Sequence, residues 1–143
     1  MSHSQPQAAV SAIPVLTSSR LLTLDSLFPH GRGLRVYVNT LMWASRLTTD
    51  LEPGCRWDLF RLTNGGFFMA PTDQKDRLYR IFSPNGSIEV VSAEAMGIIC
   101  CLFAYSHLRY QPWFQPDAHD HFHLLRDYAR THKDARRIFA TIS

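Results

Sequence analysis

The stretch from Trp57 to Pro71 constrains the fold of this chain most, because Asn64-Gly65-Gly66 interrupts two runs that read as strands. Asn-Gly and Gly-Gly tolerate positive φ at little cost, and between strand-like runs they predict a tight hairpin. The first run has period two: Trp57, Leu59 and Arg61 fall on one face, and Asp58, Phe60 and Leu62 on the other. Gly66 to Ala70 supplies the returning strand. Arg77 to Phe82 reads as a third strand, and Ser83-Pro84-Asn85-Gly86 as a second turn leading into Ile88 to Val91. Four short strands joined by tight turns predict an antiparallel four-stranded meander.

Helical signals surround this block. Thr17-Ser18-Ser19 can cap a segment carrying Leu21, Leu22, Leu24 and Leu27 that ends before Pro29. Leu34, Val38, Leu41, Met42 and Leu47 recur at helical spacing, which predicts an amphipathic helix over 34–47 with those residues inward. Ser92 offers an N-cap and Glu94 a favourable first-turn charge for a helix that is apolar nearly all round from Ala95 to Tyr105. Such a helix is expected to be buried against a sheet, and Gly97 within it to mark a close approach to another backbone. Asp117 and Asp134 can each cap a C-terminal helix. The expected fold class is α+β: a single domain over 13–143, its meander packed with and surrounded by helices, after a weakly ordered start over 1–12.

Composition narrows the function. With 143 residues, of which 45% are hydrophobic, the chain can bury one core without metal or disulfide support. Its formal net charge of +3 excludes a protein that imitates DNA, which must reproduce the negative charge of the phosphates. Three cysteines, Cys55, Cys100 and Cys101, show no disulfide framework. Residues 1–17 lack the basic and apolar regions of a signal peptide. The longest apolar run, Met96 to Tyr105, is about half the ~20 residues a spanning helix needs, so no membrane association is expected and a cytoplasmic location is.

Few residues suggest chemistry. His119 and His123 share a helical face beside His121, but no closed set of metal ligands accompanies them. Cys55 follows a glycine turn, yet nothing marks it as an activated nucleophile. Nucleophile elbows, phosphate-cradling glycine loops, His-Glu-x-x-His and dinucleotide fingerprints are absent from the sequence. Asp73 and Asp76 read as charges in a solvated connection. We therefore expect no catalytic residues, no metal and no cofactor. Arg126, Arg130, Lys133, Arg136 and Arg137 form a basic stretch interleaved with Tyr128, His132 and Phe139, which makes a nucleic-acid-associated module the alternative function. Asp127 and Asp134 dilute that charge, and strong DNA binding is not expected. Trp43, Trp57, Trp113, Phe67 and Phe68 read mainly as core. The turn itself either serves chain reversal or presents Asn64 to a partner.

The segment Thr63-Asn64-Gly65-Gly66-Phe67-Phe68-Met69-Ala70-Pro71, preceded by Trp57, resembles the signature of the ArdB/KlcA antirestriction family. Tyr37 and Trp43 upstream are similar to residues of a family helix. Ser92-Ala93-Glu94-Ala95-Met96-Gly97-Ile98, Leu125-Arg126-Asp127-Tyr128-Ala129 and Ile138-Phe139-Ala140-Thr141-Ile142 follow in matching order. The chain departs from the family at Phe68, where Tyr is frequent, at Cys55, where Gly is frequent, and at Ser143, where Asp often ends the chain. The resemblance implies a protein of plasmids and other mobile elements that relieves type I restriction of incoming plasmid or phage DNA, without enzymatic activity. Its expected partner is the type I restriction-modification machinery, contacted directly or indirectly by a monomer. Asp58, Arg61, Asn64, Arg126 and Arg130 are the expected contact residues. Trp57, Asn64, Gly65, Gly66, Phe67, Pro71 and Gly97 are the expected structural motif.

Overall fold

Strands β2 (Asp58–Leu62) and β3 (Phe67–Ala70) form the expected hairpin, with Leu59 opposite Met69 and Phe60 opposite Phe68. The computed structural model describes residues 9–72 and 76–143. The expectation of weak order over 1–8 and the role given to Asp73 lie outside the described residues. Gly65 closes the hairpin at φ +93°, where a side chain would be strained, and its N–H donates to the Leu62 carbonyl at 2.9 Å.

The four-stranded meander is not formed. Strand β1 (Ala12–Pro14) pairs antiparallel with β2, giving the order β1-β2-β3, while β4 (Leu78–Phe82) and β5 (Ile88–Ser92) make a separate two-stranded ribbon. The reason lies at the outer edge of β3, which helix α3 (Ala93–Leu108) covers. The Met69 N–H donates to Cys101 Sγ at 3.4 Å, and the Tyr105 hydroxyl donates to the Phe67 carbonyl at 2.9 Å. With its outward polar groups satisfied by the helix, β3 offers β4 no ladder to join. Gly97 makes this approach possible: a Cβ there would lie 2.2 Å from the Met69 carbonyl oxygen and 2.4 Å from Ala70 Cβ.

Helix α3 is the central element, and residues from Ala93 to Leu108 are buried on nearly every side of it. Ser92 caps it, its hydroxyl accepting the Ala95 N–H at 3.2 Å. Helix α2 (Arg32–Leu47) packs along α3, but with a different face from the one its leucines suggest. Gly33, Val36, Thr40, Ala44 and Leu47 are buried, whereas Leu34 is 66% exposed and Val38 is also exposed. Small residues let the helix sit close to its neighbours: a Cβ on Gly33 would fall 2.8 Å from Leu24 Cβ of α1 (Arg20–Leu27). Thr40 is tolerated inside because its hydroxyl donates to the Val36 carbonyl at 2.8 Å. Thr17–Ser19 form a 3-10 turn, so α1 starts later than the Thr-Ser run suggests.

Two helices close the chain, α4 (Gln115–Ala129) and α5 (Ala135–Ile142). Phe114, not Asp117, occupies the N-cap position of α4; Asp117 lies in the first turn and pairs with Arg32 at 2.8 Å. Asp134 occupies the N-cap position of α5, yet its carboxylate turns to other partners. No helix among the described residues is long and apolar enough to cross a membrane.

Candidate functional site

The Asn64 turn is bound into the body of the protein. The Asn64 amide donates to the Leu124 carbonyl of α4 at 2.9 Å, and its oxygen accepts the Gly66 N–H at 3.0 Å. Gly66 fits against the same helix, since a Cβ there would lie 2.9 Å from Leu62 Cδ1 and 3.0 Å from Leu124 Cβ. Trp57, Phe67 and Pro71 are buried. The motif thus fixes the hairpin against α4 and α3.

The expected contact residues lie on different elements: Asp58 and Arg61 on β2, Asn64 in the turn, and Arg126 and Arg130 at the end of α4. Asp58 and Phe60 share one face of β2, and Arg61 lies on the other, exposed at the sheet end. Asp58 accepts the Thr72 hydroxyl at 2.5 Å and lies 3.4 Å from Arg56 and 3.9 Å from Arg20. Arg126 stacks on Phe122, while Arg130 reaches Asp127 at 3.3 Å. Arg137 similarly pairs with Asp134, so the basic C-terminal stretch is divided and partly neutralised.

Asp58 and Phe60 open onto a cleft of about 690 Å³ between β1, the start of α3 and the α4–α5 connection. Phe60 stacks on Phe68 at 4.8 Å between ring centroids, and Phe68 on Tyr128 at 5.7 Å. Beyond this aromatic stack runs a polar chain that the sequence did not reveal. The Tyr128 hydroxyl donates to Glu94 at 2.7 Å, and His132 Nε2 lies 3.4 Å from the same carboxylate. His132 Nδ1 accepts the Asp134 N–H at 3.0 Å, which leaves Nε2 to carry the proton toward Glu94. Asp134 in turn accepts the Ser92 N–H at 3.2 Å. The only signal for this network was Glu94 in a first helical turn; its partners come from residues 34 to 40 positions later.

The electrostatics commit these groups to one another. Bonding from His132, and then from Tyr128, holds Glu94 below the usual carboxylate range against the desolvation that opposes it. Burial, then the bond to Glu94, pushes the Tyr128 phenol up. Burial acts to raise Asp134, but the Ser92 hydroxyl and N–H, together with His132 and Lys133, outweigh it and hold its carboxyl down. Cys100 and Cys101 are fully buried, and burial raises the Cys101 thiol to about 11 and the Cys100 thiol well above its ordinary value. Neither supplies a thiolate nucleophile at neutral pH. His119 and His123 stand 4.5 Å apart, and among the described residues no group of three metal-ligating side chains forms around them.

A family model described as "Antirestriction protein" matches residues 53–143. The chain belongs to the ArdB/KlcA antirestriction protein family. Antirestriction protein KlcA of Escherichia coli is 32% identical to it over 147 residues, covering 99% of each chain. The uncharacterized protein YafX of Escherichia coli strain K12 is 33% identical over 141 residues, covering 96% of this chain and 91% of its own. A solved structure from work on the KlcA and ArdB proteins superimposes with a TM-score of 0.82 at 32% identity, over 100% of this chain and 99% of that one. That work describes a novel fold and antirestriction activity against Type I DNA restriction systems in vivo but not in vitro. The family's shared fold therefore extends over the whole of this chain, hairpin and central helix included.

Proposed function

We propose that this protein relieves type I restriction of incoming DNA by non-enzymatic contact with other proteins of the cell. The whole-chain likeness to the KlcA and ArdB fold carries this reading. Activity of those relatives in vivo but not in vitro supports an indirect route, in which a cellular component absent from a purified reaction is engaged. The side chains around the cleft support contact over catalysis, because Tyr128, Glu94, His132 and Asp134 satisfy one another and place no activated nucleophile beside a base.

The packed helices α1 and α2 offer surface suited to protein contact. Leu21 is 78% exposed, and Leu22, Leu34 and Val38 are exposed with it. Leu21 and Leu22 are consecutive on α1, and Leu34 and Val38 are one turn apart on α2; neighbouring exposed apolar side chains of this kind mark association sites more often than they serve a monomer. Transfer of an unmodified plasmid into cells carrying a type I system, with and without this gene, tests the proposal. Recovery of transformants is expected to rise with the gene, and equal recovery would overturn the reading.

A further inference from the structure

Two arginines, one following α3 and one on α4, share one aromatic ring. The Arg109 guanidinium, just past α3, lies 5.5 Å from the Phe122 centroid, and that of Arg126, on α4, lies 5.8 Å from it. Among the described residues neither arginine has a carboxylate within ion-pair distance, unlike Arg32, Arg130 and Arg137. His123 sits beside the same ring, with His119 4.5 Å from it. Desolvation first, then His119, Arg126 and Arg109, holds His123 below its ordinary value against the opposing charge of Asp127, so positive charge outweighs negative around this ring. Arg109 also lies 5.4 Å from the Tyr110 ring, and Tyr110 is 76% exposed. Both line a cavity of about 480 Å³ with His119 and Asp120.

Packing on Phe122 orients the two guanidiniums; Arg126 Nε is buried without a partner, so Arg126 meets phosphate oxygens through its terminal nitrogens and Arg109 through its whole guanidinium. An exposed aromatic ring alongside adds a platform on which an unpaired base can stack. Trp113, 46% exposed and carrying Arg35 at 5.7 Å, continues the same connector between α3 and α4. We propose that this face binds single-stranded nucleic acid, with Arg109 and Arg126 on backbone phosphates and Tyr110 under a base. Asp120 faces the same cavity and opposes the phosphates, so the binding is weak and strongly salt-dependent. This site is distinct from the apolar surface of α1 and α2, and it does not depend on the antirestriction reading.

Fluorescence anisotropy of a labelled oligothymidine with the 143-residue protein at low salt tests it. The intact protein is expected to bind the strand more tightly than a duplex of equal length, whose bases are already stacked. Arg109→Gln combined with Arg126→Gln should weaken binding and make the salt dependence shallower by about 1.4, two phosphates at roughly 0.7 each. Tyr110→Ala should weaken it by about fivefold or more. Replacing both arginines with lysine keeps the charge and should retain most of the salt dependence, which separates loss of charge from loss of fold. Arg46→Gln with Arg80→Gln, exposed on α2 and β4, should leave affinity near that of the intact protein. Absence of binding at low salt, equal affinity for strand and duplex, or equal losses from the two arginine-to-glutamine pairs would overturn the proposal.

Discussion

The Asn64 side-chain amide donates to the Leu124 carbonyl at 2.9 Å, joining the most recognisable turn of the chain to a helix sixty residues later. Because the same side chain accepts the Gly66 N–H, it holds the turn and its anchor together. Asn64→Ala leaves the Gly66 N–H without its acceptor and removes the tie between the turn and α4, and should cost about 1–3 kcal/mol of stability. Urea unfolding followed by circular dichroism checks this; an unchanged midpoint would show that the staple is dispensable.

Gly97 permits α3 to cover the edge of β3. Gly97→Ala places a methyl group 2.2 Å from the Met69 carbonyl oxygen, so strand and helix must separate. A loss of about 1–3 kcal/mol or more is expected, against the small gain alanine gives within an ordinary helix. The melting temperature should fall sharply.

These two contacts show what was legible in the sequence. The hairpin was, because Asn64-Gly65-Gly66 meets a local backbone demand, and so was α3, because it is apolar all round. The division of the strands into two sheets was not, since it depends on Cys101 and Tyr105 reaching β3 from a helix more than thirty residues away. Helix α2 was found but turned the wrong way: hydropathy favours Leu34 and Val38, while close packing selected Gly33, Thr40 and Ala44. The Glu94 network was hidden for the same reason as the sheets, its members being brought together only by the packing of α4 and α5 against α3.

Buried His121 makes stability depend on pH. Its ring lies 4.3 Å from Phe28, and burial lowers its pKa below 6.5 despite the Leu27 backbone and nearby Asp117 and Asp120. The unfolded chain therefore takes up this proton before the folded one. Stability is expected to decline as pH falls through about 6.5 and to go on falling until the folded imidazole is itself protonated. Glu94, whose folded pKa is depressed, adds a further loss at more acid pH, as its carboxylate is protonated in the folded state. His121→Phe should flatten the first part of the decline in urea midpoints and leave the second.

Cysteine reactivity should follow burial. Cys55 is partly exposed, whereas Cys100 and Cys101 are enclosed with raised pKa values. A thiol reagent at mildly alkaline pH is expected to label Cys55 alone in the native protein and all three after denaturation. Rapid native labelling of either buried thiol would contradict the packing of α3.

Leu21→Ser with Leu34→Ser changes exposed side chains of α1 and α2 and should leave the thermal melt nearly unchanged. If those helices meet the partner, relief of restriction should drop while the fold persists.

The most direct measurement is the plating efficiency of unmodified phage on a type I restricting host and on an isogenic non-restricting host, each with and without this gene. Expression is expected to raise plating on the restricting host toward the non-restricting level and to change nothing on the other. Unchanged restriction, with the folded protein present in the cells, would contradict an antirestriction role.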